Sequence, residues 1–79
     1  MESKLGATIR QRRHALGLTV GELAAELDKR YYQAPSKSSI SRYEVGTKQV
    51  GLPALMILSD FLAINLDEVR KYDISKLKK

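Results

Sequence analysis

The chain has 79 residues, no cysteine, and a net charge of +5 from 14 basic and 9 acidic residues. A chain this short makes one small domain that buries only about 60% of its unfolded surface, and without thiols it has neither a disulfide scaffold nor a thiolate metal site. The pI near 9.7 lies above the value of about 9 that suggests a polyanionic partner. No apolar run nears the ~20 residues needed to span a bilayer, and the Met1–Lys4 start lacks the basic and apolar regions of a signal peptide, so a cytoplasmic protein without a membrane partner is expected.

In chain order the pattern is helical throughout, with no sustained period-2 alternation and no hairpin signal. Ser3 can cap a first helix from about Lys4 to Leu16, with Leu5, Ile9 and Leu16 apolar and Gly17 ending it. Thr19 and Glu22 form a capping box for a second helix, and Leu18 and Leu23 stand at the staple positions around it. Leu23, Ala24 and Leu27 make its apolar face. The pattern lapses from Asp28 to Pro35, either as one more helical turn or as a loop.

A third helix follows. Ser36 is its N-cap, Gly46 its left-handed terminator, and Ile40 and Tyr43 its apolar stripe. Its other face carries Lys37, Ser38, Ser41 and Arg42, which suits either a solvated surface or a nucleic-acid reader. A fourth helix has Pro53 in its first turn and the spacing Leu52, Leu55, Leu58, Ser59, Leu62. A fifth is expected from Asn65 to about Tyr72, with Asn65 as cap, Glu68 at its third position and Ile64 stapled to Val69. The expected architecture is all-α: residues 1–72 form one compact five-helix domain, and residues 73–79 a basic, flexible tail.

Enzymatic chemistry has no constellation behind it. His14 is the only histidine, it sits among arginines, and no phosphate loop or metal-ligand spacing is present. No cofactor, no metal and no catalytic residue are expected.

The second and third helices together carry a resemblance. Ile9-Arg10, Arg13, Leu16-Gly17-Leu18-Thr19, Glu22-Leu23-Ala24, the run Ser36 to Gly46, then Leu55, Leu58, Leu62 and Leu66 to Val69 are similar to the Xre/Cro/C1-type helix-turn-helix domains of phage repressors and bacterial regulators. The resemblance implies a lambda-repressor-like fold and sequence-specific binding of double-stranded DNA, with the helix 36–45 in the major groove. It implies base-edge readers at Lys37, Ser38, Ser41 and Arg42. Phosphate contacts are implied at Thr19, Ser36, Thr47, Lys48 and Gln49. It also implies a structural ion pair between Arg13 and Glu44, since a carboxylate facing phosphate would be repelled.

The chain departs from the family pattern in two places. Val20 stands where a polar DNA contact is usual. The connection between the second and third helices is extended, and its Lys29, Arg30 and Tyr31 are either added DNA contacts or a core edge with solvated cations. A homodimer on a palindromic operator is the natural expectation. Leu66, Val69 and Tyr72 would then be either its surface or a lid on the core. The rival reading is an antitoxin or other protein-interaction module with secondary DNA binding.

Overall fold

Capping chemistry sets most of the helix boundaries in the computed structural model, which describes residues 4–79. Helix α1 runs Lys4–Ala15; the Ser3 cap expected for it lies outside the described residues. The chain leaves α1 through Gly17, at φ 71°, a left-handed conformation that glycine adopts without steric cost. The helix therefore stops before Leu16. That residue, expected on the apolar stripe, belongs to the turn and is 54% exposed.

Helix α2 (Val20–Arg30) starts with the full capping box: Thr19 N–H donates to Glu22 Oε1 at 2.9 Å and Glu22 N–H donates to Thr19 Oγ1 at 3.1 Å. It runs through Asp28, Lys29 and Arg30, so one helical turn absorbs the start of the long connection. Tyr31 is then extended and Gln33 takes φ 61°. Helix α3 (Lys37–Val45) opens on Ser36, whose hydroxyl accepts from Ser39 N–H at 3.2 Å, and closes on Gly46 at φ 81°. Helix α4 (Leu52–Phe61) has no side-chain cap and carries Pro53 in its first turn, where a proline costs no hydrogen bond.

The core draws Ile9 from α1, Leu23 and Leu27 from α2, Ile40 and Tyr43 from α3, and Ala54, Ile57 and Leu58 from α4, with Leu62 and Ile64 behind them. Leu18, Val20 and Ala24 pack against its edge. In α4 the buried stripe follows the expected leucine series only in part: Leu58 and Leu62 are buried as expected. Ala54 and Ile57 are buried whereas Leu52 is 42% exposed. This helix is apolar almost all round, so leucine spacing alone did not identify its inner face.

The fifth helix is not formed. Asp67–Val69 is a single 3₁₀ turn without a side-chain cap, and Asn65 is exposed. One turn carries the nucleation cost of a helix without its propagation. Tertiary packing decides here: Val69 is buried, Leu66 packs on the core, and Tyr72 stays exposed. The described residues therefore form four α-helices and two 3₁₀ turns, the second being Ile74–Lys76.

The C-terminal residues lie along the α2–α3 connection. Tyr32 N–H donates to Leu77 O at 2.6 Å and Lys79 N–H to Arg30 O at 2.9 Å, flanking a two-residue bridge between Tyr31 and Lys78. Helix α3 is held from two sides, by α1 and by α2. The α1 contact is very close. A Cβ built on Gly6 would collide with the main-chain oxygens of Tyr43 and Glu44.

Candidate nucleic-acid interface

Helix α3 divides its side chains sharply. Ile40, Tyr43 and Glu44 point inward and are buried. Lys37, Ser38, Ser41, Arg42 and Val45 are exposed, and the spacings 37, 41, 45 and 38, 42 place them on one continuous face. The structure thus brings the four expected base readers together. It adds Val45, half exposed and apolar, which the sequence reading left unassigned. Counting four residues on from Ser41 would have found it.

Glu44 is the inward exception among the charges. Arg13 Nε donates to Glu44 Oε2 at 2.7 Å and Arg13 Nη2 to Glu44 Oε1 at 2.8 Å. The third guanidinium donor, Nη1, reaches Leu18 O at 2.9 Å. One buried arginine thereby ties α1 to α3 and to the turn before α2. The hydrogen bond to Glu44 raises the Arg13 pKa above its already high ordinary value, so its charge is permanent. Arg10 Nε stands 3.6 Å from Glu44 Oε1 from a half-exposed position. A bidentate geometry of this kind is among the strongest that charged side chains make.

The cations of the outer face have no such partners. Among the described residues neither Lys37 nor Arg42 makes an ion pair or a side-chain hydrogen bond. Lys48, in the loop after α3, donates from Nζ to Ser39 Oγ at 3.0 Å and lies 5.9 Å from the centre of the Tyr43 ring. It is therefore held beside α3. Thr47 closes on the helix end, its N–H donating to Arg42 O at 3.0 Å, and Gln49 is exposed next to it. Ser36 serves the α3 cap and Thr19 the α2 cap, and both remain exposed. The position that departs from the family pattern, Val20, is half-buried against the core.

The α2–α3 connection lies elsewhere. Lys29 and Arg30 both face Glu26, at 3.7 and 3.3 Å, and Arg30 sits over the Phe61 ring at 5.4 Å. They line a cleft with Tyr31, Asp60, Lys78 and Lys79. The Tyr31 side chain, expected as an added contact or a core edge, is only 5% exposed and donates its hydroxyl to Asp60 Oδ2 at 2.5 Å. Burial and that hydrogen bond push its pKa up. The end of Lys37 lies against Gly21 at the opposite end of α2, nine residues and roughly 13 Å along the axis from Arg30. The structure does not bring Lys29, Arg30 and Tyr31 to the outer face of α3.

Comparison with curated proteins and with solved structures finds no match. A family model described as a helix-turn-helix domain matches residues 4–71. That span takes in all four helices and both members of the α2–α3 pair, and the chain belongs to the helix-turn-helix domain family.

Proposed function

We propose that this domain binds double-stranded DNA sequence-specifically as a transcriptional regulator of the Xre/Cro/C1 type, acting as a repressor. The observation that carries the reading is the outer face of α3: two unpaired cations and two serines on a helix whose inner face is locked by the Arg13–Glu44 pair. Arg42 can donate twice to guanine O6 and N7, and serine donates to or accepts from several bases. Lys37, Ser38, Ser41 and Arg42 face the duplex. Thr19, Ser36, Thr47, Lys48 and Gln49 flank them as phosphate contacts.

One domain covers one half-site, so a homodimer on a palindromic operator completes the proposal. Tyr72 supports it as a surface residue. It lines a groove with Leu52, Pro53, Met56 and Leu77, and with the polar Gln33, Asp73 and Lys76, whereas Val69 is buried. Residues 1–72 are proposed as the binding domain, and 73–79 as a basic segment docked along its α2–α3 connection.

Selection of bound duplexes from a random pool tests this reading. Enrichment of a short two-fold symmetric site, with half-sites about 10 base pairs apart, is the expected result. Recovery of no sequence above the starting pool would sink it. Membrane attachment by a spanning helix is not part of the proposal, since no described helix is long and apolar enough to cross a bilayer.

A further inference from the structure

Gly21 is an unexpected residue for its place. It stands at the second position of α2, in the first turn, and glycine is a poor helix former. Its φ lies outside the positive range, so a left-handed backbone does not explain it. The space beside it is lined by Lys37, at distances that a Cβ would still meet as ordinary contact. The nearest atoms to a Cβ at this position are Cδ, Cε and Nζ of Lys37, at 3.6, 3.7 and 3.8 Å. The outer half of the Lys37 side chain lies against the first turn of α2 and does not stand out from α3. Its ammonium has no other partner among the described residues.

The consequence depends on how the two helices meet a duplex. In a helix-turn-helix the second helix of the pair enters the major groove and the first crosses the sugar–phosphate backbone. A side chain rooted on α3 and folded onto α2 carries its charge from the groove floor toward that backbone. Resting on the DNA reading above, we infer that Lys37 is a backbone-phosphate contact and not a base reader, and that Gly21 is the positioning residue that keeps it there. Base discrimination then falls to Ser38, Ser41 and Arg42. A side chain longer than alanine at position 21 projects into the space that Lys37 occupies and drives the ammonium outward.

The probe is a duplex selected by the wild-type protein from a random pool, together with its single-base variants. Affinity is measured across a salt series for wild type, Lys37→Ala, Arg42→Ala and Gly21→Leu, each checked for wild-type helicity and melting. Leucine supplies bulk without a hydrogen-bond donor of its own. Losing one phosphate contact lowers the slope of log affinity against log salt by about 0.9. Lys37→Ala is expected to show that loss and to weaken every duplex by the same factor, leaving base preferences unchanged. Gly21→Leu is expected to reproduce the loss of slope with Lys37 still present. Arg42→Ala is expected to flatten the preference at one base position. The inference is overturned if Lys37→Ala relaxes a single base position at constant slope, or if Gly21→Leu keeps the wild-type slope. A wild-type protein that enriches no duplex overturns the DNA reading itself, a result distinct from either.

Discussion

Two cationic regions share this small surface. Along α3, Lys37 and Arg42 face solvent without an acid beside them, and Lys48 is bonded only to a serine hydroxyl. At the far end of α2, Lys29 and Arg30 face Glu26, Lys78 stands 3.6 Å from Asp60, and Lys79 donates to Asp28 O at 2.6 Å. Charge counting treats the two regions alike. Partner geometry separates them: the first projects an unneutralised positive potential, and the second spends its charges on holding the chain together. A polyanion is attracted by the sum of charges within about a Debye length, near 8 Å at physiological salt, so cations already beside acids contribute little.

The comparison breaks most readily at Glu44, the one acid on α3. Glu44→Ala leaves Arg13 buried without its counter-charge, and an uncompensated buried charge costs about 3–5 kcal/mol. For a domain of this size the melting midpoint should fall by roughly 12 °C or more. An unchanged midpoint would show that the inward half of α3 is not what locks it. Affinity for a selected duplex sharpens the outer contrast. Arg42→Ala should lose about 1–3 kcal/mol of binding at unchanged melting temperature. Arg30→Ala should keep affinity within ~0.5 kcal/mol, because it removes an exposed pair with Glu26 and a contact over the Phe61 ring, both away from the outer face of α3. Equal losses from the two variants would mean that the paired region also touches DNA.

A smaller effect is expected where the paired region meets the core. Tyr31→Phe removes the hydroxyl donated to Asp60 and should cost about 1–2 kcal/mol by thermal or urea melting. Because the folded phenol has its pKa raised above the ordinary 10.0, its contribution is fully present below pH 10 and is lost as pH rises beyond it. Wild type should therefore lose stability above pH 10, and Tyr31→Phe should lose less. The smallest effect belongs to the α2 cap. Hydrogen bonds from Thr19 hold the Glu22 pKa below its ordinary 4.5. Its contribution is present above that value and fades as pH falls through the lowered pKa. Melting between pH 7 and pH 3 should show a steeper acid loss for wild type than for Glu22→Gln.

Local chemistry made much of this legible. The capping box at Thr19 and Glu22, the Ser36 cap and the Gly46 terminator are each decided within four residues, and each stands where the sequence placed it. Glu44 was set apart from Arg42 by the family resemblance, which implied its pairing with Arg13, and the two side chains do form that pair. What escaped was decided across the chain. Asn65 to Tyr72 carries good helix-start signals, yet Ile64 and Val69 are both needed at the core and Leu66 is extended between them. Tyr31 stayed open between a DNA contact and a core edge because nothing local revealed Asp60, 29 residues away, or the C-terminal segment that pairs with it. The Lys37–Gly21 contact joins two helices and left only an oddly placed glycine as its signal.

The close approach at Gly6 bears on how accurately α3 can be aimed. Most helices are positioned by side chains, which yield by changing rotamer. Here the backbone of α1 rests directly on the Tyr43 and Glu44 carbonyls, a hard stop with no rotamer to relax. Tyr43 lies six residues, roughly 9 Å, from Lys37 along the axis. A displacement of about 1 Å at the stop would tilt the far end by roughly 6° and carry every outward side chain with it, whereas a binding constellation tolerates only about 0.5 Å. The absent side chain at position 6 therefore works as a calibration mark: it sets the pitch of the whole lever, at the end farthest from Lys37.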